Sequence, residues 1–266
     1  DESSFKSLLP VFGDCYLDAI TPEMVHRYQT NRLDQGKKPA TVNRELALLK
    51  TMFNRAIESG KAESNPVVRV KFLKENNARC RILEAEERER LRAEMDPRIR
   101  RIYDFARYTG LRQGEIFRFR WPDADLKGGF LRVGEAKSGE GRTVPLNATA
   151  RALLESIPYR LDGGFVFCRP QDGEAIRSIR TGFENAVRRA GIEDYRFHDS
   201  RHEFASALAM KGVDLNTIRE LLGHKTMQMV MRYSHLTDRH EAQAVALLDS
   251  AEDTQEDSST HRAEAG

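Results

Sequence analysis

The 36 residues from His198 to Tyr233 carry His198-Asp-Ser-Arg201-His202, then Leu221-Leu-Gly-His224, then Arg232-Tyr233. Guanidinium and imidazole groups grouped this way handle phosphate, and the phenol at the end is a candidate nucleophile. A tyrosine set among cations loses its proton more readily than its ordinary pKa of ~10 implies. Far upstream lies a second cluster, Thr109-Gly-Leu-Arg112-Gln-Gly-Glu115. A guanidinium is a planar fork that stays charged at any working pH and holds two phosphate oxygens at once, so Arg112 and Arg201 together suit a clamp on a reacting phosphorus. Glu115, three residues after Arg112, shares its helix face and can orient the guanidinium. Taken singly, each arginine is as well read as a solvated surface residue, and each histidine as a satisfied structural one.

The elements that must position these groups follow from periodicity and punctuation. Thr21-Pro22-Glu23 reads as a helix N-cap, a proline at the first helical position and an early acid. Val42, Leu46, Leu49, Phe53 and Ile57 recur at helical spacing and stop before Gly60. Ahead of the first clear helix stands only a short apolar segment, Phe5 to Phe12. Lys74 to Arg81 is polar and without apolar period, a linker that places a domain boundary near Asn77. Beyond it, Glu84 to Met95 and Ile99 to Tyr108 read as helices, and Gly110 closes the second. Phe130-Leu-Arg-Val-Gly and Arg142-Thr-Val-Pro-Leu bracket a Gly-containing loop with Lys137 at its tip, the pattern of a β-hairpin. Gly164 to Cys168 reads as a further strand, and helices resume from Ser178 to about Leu248. No internal repeat is visible.

Composition narrows the classes. The formal charge is +2, but six acids against one arginine from Asp249 to Gly266 leave −5 there and +7 on residues 1–248. The body is basic; the end of the chain is acidic and poor in the apolar residues that offset ordering entropy, so a disordered tail is expected. Cys15, Cys80 and Cys168 stand far apart with no Cys-x-x-Cys pair, which argues against a disulfide framework or a zinc ribbon and fits a reducing cytoplasm. No apolar run of 18 residues and no leader pattern is present, so no membrane association is expected. Two motifs fail on inspection. His198 and His202 have zincin spacing, but Asp199 stands where the glutamate belongs and Arg201 lies between the supposed ligands, so no metal is expected. Gly134 to Gly139 begins like a Walker loop but offers Glu140 in place of the lysine, so no nucleotide cofactor is expected either.

Taken jointly, Thr109-Gly-Leu-Arg112-Gln-Gly-Glu115-Ile, His198-x-x-Arg201-His202, Leu-Gly-His224 and Tyr233 nine residues later resemble the tyrosine recombinase (phage integrase) family over nearly the whole chain. The resemblance implies a mainly α chain: a helical, SAM-like core-binding domain (1–77, with something upstream removed), an α+β integrase-type catalytic domain with a small antiparallel sheet (78–248), and the acidic tail (249–266). It implies a site-specific DNA recombinase that works without metal or ATP through a 3′-phosphotyrosine link. Tyr233 is then the nucleophile and Arg112 and Arg201 stabilise charge. His198 accepts the phenol's proton, His224 donates to a non-bridging oxygen, Lys137 protonates the leaving 5′ oxygen, and Glu115 and His202 support them. Double-stranded DNA and a homotetramer assembled on it are the implied partners; the helix from Asp238 to Leu248 either closes the catalytic domain's own core or docks on a neighbour, and the resemblance favours the neighbour. Lys37, Lys38, Thr41, Asn43 and Arg44 cluster at a helix start, where cations and N–H groups favour phosphate contact and Asn or Arg can read base edges. Ser200 replaces the family's usual leucine, and Met229 and Val230 its usual threonines; neither change removes a reacting group. A type IB topoisomerase would use much the same residues. A non-catalytic DNA-binding module has no use for Tyr233, Lys137 and His198 together.

Overall fold

The computed structural model describes residues 2–75, 81–134 and 141–236. Lys137, most of the expected linker, the expected helix from Asp238 and the acidic end lie outside the described residues. The chain divides into two compact units, Asp1–Arg79 and Cys80–Gly266.

The first unit is helical. α1 (Glu2–Phe12) forms where only an apolar segment was expected, and it carries Pro10 in its last turn, where the missing N–H costs one bond two residues before the helix ends. α2 (Pro22–Asp34) starts as the sequence indicates: Thr21 caps it by accepting the Met24 N–H at 3.3 Å, with Pro22 first in the helix. α3 (Pro39–Glu58) buries Val42 and packs Leu46, Leu49 and Phe53 in one core with Leu8 and Phe12 of α1 and Val25 and Tyr28 of α2. One acid crosses this core. Glu45 is nearly inaccessible and accepts from the Tyr28 hydroxyl at 2.8 Å and from Arg32 at 2.6 and 2.9 Å. With three donors on its two oxygens and the Arg32 charge beside it, its own charge is tolerated where an unpaired carboxylate would not be.

The second unit carries the remaining elements. α4 (Ala85–Glu94), α5 (Pro97–Thr109) and α6 (Gln113–Arg118) lead into a three-stranded antiparallel sheet of β1 (Ala124–Asp125), β2 (Phe130–Val133) and β3 (Arg142–Pro145), with Leu131 opposite Val144 and Val133 opposite Arg142. α7 (Ala148–Glu155), α8 (Arg180–Arg189), α9 (Asp199–Met210) and α10 (Leu215–Leu222) follow. α5 packs on both α7 and α9. The main core gathers Tyr103, Phe105, Trp121, Leu131, Val144 and Phe183; a smaller one joins Ala205, Ala209, Ile218, Leu222, Val230 and Tyr233.

Two expectations are corrected. The run from Gly164 to Cys168 is no strand: it makes only single bridges, Arg120 to Phe165 and Cys168 to Ala175. Val166 and Phe167 are both buried, so neighbouring side chains fill the core together rather than alternating between faces, and glycines and Pro170 bound the run. The helical stretch after Ser178 is broken too. Residues Met227–Met229 and Met231–Leu236 are 3-10 turns, so Tyr233 is presented by a turn and not by an α-helix.

Candidate active site

Two helix ends build the site. An α-helix leaves its last carbonyls without intrahelical partners and carries partial negative charge there. α5 ends at Gly110 and α10 at Gly223, each in the left-handed region, at φ 66° and 60°. A Cβ on Gly110 would meet the Phe204 ring at 2.5 Å, so the turn requires glycine for space as well as for φ. The freed carbonyls are taken by arginines distant in sequence. Arg201 donates to the Gly110 oxygen at 2.5 Å and to the Leu222 oxygen; Arg112 donates to the Gly223 oxygen at 3.2 Å. Arg142 donates from Nε to the Leu221 oxygen at 2.9 Å. Thus the segments around Arg112, Arg142, Arg201 and Leu221–His224 meet in one pocket.

Glu115 sits beneath these cations. Its carboxylate accepts from Arg112 Nη1 at 2.9 Å, from the Arg112 backbone N–H at 2.7 Å, and from both Arg142 Nη atoms at 3.0 and 2.9 Å. Burial alone would raise the Glu115 pKa. The Arg142 fork, the Arg112 N–H and both guanidinium charges outweigh it and hold the carboxyl at about 2. A carboxylate depressed on folding adds stability above its ordinary 4.5, and that stability disappears as pH falls through about 2. This one group should therefore contribute about 3 kcal/mol to the loss of stability across this window, and Glu115→Gln should show a shallower fall there than wild type, read by urea unfolding at stepped pH.

Arg201 is 2 % exposed. Burial, then the charges of Arg112 and Arg142, lower its pKa to about 9, well below the usual guanidinium range. His224 is lowered to about 3 by burial and then by Arg201 and Arg112, so at neutral pH it is an uncharged donor. Its Nδ1 is buried and has no hydrogen-bond partner among the described residues. His198 keeps an exposed face, yet the enclosing protein and then Arg201 lower its pKa as well. Cations forced together in this way are relieved by an anion. A phosphodiester between Arg112, Arg201 and His224 would supply the missing countercharge and a partner for the orphaned imidazole nitrogen.

Tyr233 is fully buried, and its hydroxyl lies 2.5 Å from His202 Nδ1. In the structure the ring beside the phenol is that of His202, and His198, expected to accept the phenol's proton, lies one ring further out, edge-on to His202 at 5.2 Å. Helix geometry explains this placement. Tyr233 approaches α9 one turn along from His198, and residues four apart share a face. Arg232 Nη1 stands 3.5 Å from the other nitrogen of His202. Beside the pocket, a cavity of about 700 Å³ is lined by Arg112, Glu115, Arg118, Arg132, Gly223 and Lys225.

Arg142 is the site residue missed in the sequence. Its only signal there is its place at the foot of the hairpin, opposite Val133. Nothing local shows that its side chain reaches a carboxylate and a carbonyl 27 and 79 residues away. In the first unit, Lys37, Lys38 and Arg44 are exposed and Thr41 is half-buried, whereas Asn43 is 5 % exposed. Asn43 does not face a ligand: its amide accepts from the Leu73 N–H at 2.9 Å and donates to the Leu73 oxygen at 2.8 Å and to Glu75 at 2.7 Å. A side chain spent on tying down the chain after residue 70 cannot also read bases.

Among the described residues, no group of three or more His, Cys, Asp or Glu stands where it could hold a metal, and no helix is long and apolar enough to cross a membrane.

Residues 72–240 match the model of the phage integrase family, and residues 1–74 that of the phage integrase N-terminal domain. A shufflon-specific DNA recombinase of Escherichia coli is 36 % identical over 83 % of the chain, and the integrase of Salmonella phage P22 is 33 % identical over 80 %. The chain spans 59 % of the length of each of these relatives. Among solved structures, a lambda integrase dimer bound to a COC′ core site superposes with a TM-score of 0.73 at 24 % identity, covering 87 % of this chain and 86 % of that one. The Tn1549 transposon integrase in complex with a circular intermediate DNA gives 0.75 at 18 % identity over 92 % of each chain. The fold is that of these integrases, mainly helical with a small antiparallel sheet, and with both family models matched along its length the chain belongs to the phage integrase family.

Proposed function

We propose that the protein is a site-specific DNA recombinase that cuts and rejoins strands through a 3′-phosphotyrosine link, with Tyr233 as nucleophile. The single observation that carries this reading is the convergence of Arg112, Arg201 and His224 on the two helix ends, next to the turn that holds Tyr233. As the Tyr233 oxygen bonds to phosphorus, the bond to the 5′ oxygen breaks and charge grows on the non-bridging oxygens. Arg112, Arg201 and neutral His224 are the groups proposed to stabilise that charge once the turn has opened. Glu115 and Arg142 are positioning residues that hold Arg112 in place. Lys137 is proposed as the acid for the leaving 5′ oxygen. The bond energy is kept in the phosphotyrosine, so a 5′ hydroxyl from a partner strand reseals the backbone in a new connection.

Residues 1–77 form the proposed core-binding domain, with Lys37, Lys38, Thr41 and Arg44 toward phosphates, and residues 78–248 the catalytic domain. Duplex DNA is the proposed substrate, bound in the cytoplasm, and a tetramer the proposed working assembly; a lambda integrase of the same fold is known as a tetramer bound to a Holliday junction. Because Tyr233 is enclosed, its turn must open before a phosphodiester can reach it.

The test is incubation with a nicked duplex containing the crossover site, where loss of the short cleaved strand traps the intermediate. A protein–DNA adduct that survives denaturing electrophoresis is expected. Absence of adduct under conditions that give full duplex binding would remove the reading. Relaxation of plasmids that lack the site would instead indicate a topoisomerase.

A further inference from the structure

We infer that the cavity beside the catalytic pocket is a second phosphate subsite, in which Arg118 and Lys225 hold the phosphodiester next to the reacting one over a floor made by Gly114. The inference rests on the recombinase reading and deepens it by adding a neighbouring contact on the substrate backbone. The cavity, about 700 Å³, shares Arg112 and Gly223 with the catalytic pocket, so a strand seated on Arg112 brings its adjacent phosphate to the cavity mouth. Among the described residues four cations and two acids line it. Glu115 is already shared between Arg112 and Arg142, which leaves Asp123 alone against Arg118, Arg132 and Lys225. A cavity with surplus positive charge beside a phosphate-binding pocket suits a further phosphate.

The cations of this cavity differ in how far they are committed. Arg132 donates to Asp125 at 3.4 Å and lies over the Phe130 ring. Arg118 and Lys225 have neither an ion pair nor a hydrogen bond among the described residues. Both are exposed while Tyr233 is enclosed, so the subsite is open before the turn moves. The Arg118 guanidinium leans back along α6 toward Arg112: a Cβ placed on Gly114 would stand 3.5 Å from its Nη2. Side chains on a helix lean toward its N-terminus, and residues four apart share a face. Gly114, between Arg112 and Arg118 in sequence, presents bare backbone there, and nothing projects to keep a phosphate away from the fork. From the loop after α10, Lys225 follows His224 directly and supplies the second charge.

Affinity for the nicked duplex is measured by fluorescence anisotropy over a series of salt concentrations. For the double variant Arg118→Gln/Lys225→Gln, affinity should fall about tenfold and the salt dependence should flatten by about one counterion. Its thermal midpoint should stay at the wild-type value, because neither side chain has a partner to lose. Gly114→Leu keeps every charge but fills the floor and displaces Arg118, and it should weaken binding comparably. Neutral methylphosphonates, placed singly around the crossover, should reveal one position beside the scissile phosphate where wild type loses affinity and the double variant loses none. A double variant with wild-type affinity and salt dependence overturns the inference. So does Gly114→Leu binding as tightly as wild type, or a double variant as sensitive as wild type at every methylphosphonate position. Wild-type protein that shows the expected binding pattern yet forms no adduct would leave the subsite standing and count against the recombinase reading, so the two failures are told apart.

Discussion

Tyr233→Phe is expected to fold, bind duplex with wild-type affinity and form no covalent adduct. The substitution retains the ring that packs with Ala205, Ala209, Ile218, Leu222 and Val230, so the smaller core of the second unit stays filled. What it removes is one oxygen and its bond to His202, worth about 1 kcal/mol of stability. The chemical loss is of another order. Removing a nucleophile that acts as a unit with its base and its charge-stabilising groups typically costs at least about four orders of magnitude, which places the adduct below detection on a denaturing gel. An end-labelled nicked duplex and a native mobility shift, run on the same samples, separate the two effects. An adduct of wild-type intensity in Tyr233→Phe would mean that another residue attacks phosphorus.

Arg201→Lys should slow single-turnover cleavage by about a hundred- to a thousandfold while leaving affinity for duplex and its salt dependence unchanged. The charge is preserved; the fork is not. Arg201 bridges the ends of α5 and α10 by donating to the Gly110 and Leu222 carbonyls from different nitrogens. A lysine ammonium is a point charge that satisfies one carbonyl and leaves the other buried and unpaired, at a cost of about 1–3 kcal/mol. The variant should therefore also unfold at a lower temperature in the absence of DNA. A cleavage rate within threefold of wild type would show that the charge at this position matters and its shape does not.

Both predictions depend on residues that stand out in the sequence, and the reason is chemical. Arg112, His198, Arg201, His224 and Tyr233 lie in short boxes whose order and spacing are unusual, so their types alone suggest phosphate chemistry. The α2 and α3 helices, the hairpin and the end of α5 at Gly110 are legible for a related reason: cap, period and glycine act over a few residues, and the sequence displays them directly. Less legible were the elements governed by distant partners. α1 depends on packing against α3 and not on its own short pattern. The run from Gly164 to Cys168 has strand composition, but Val166 and Phe167 are drawn together into the core.

From the sequence by itself came the inventory: which cations, which imidazoles, which phenol, and the helical frame around them. Tertiary structure alone decided who meets whom. It placed Arg142 on Glu115, turned His202 rather than His198 toward Tyr233, withdrew Asn43 into a backbone tether, and joined two helix ends through Arg201. Side-chain identity and local periodicity are properties of adjacent residues. A hydrogen bond spanning 27, 31 or 91 positions exists only once the core has closed and the carbonyls freed at helix ends need donors.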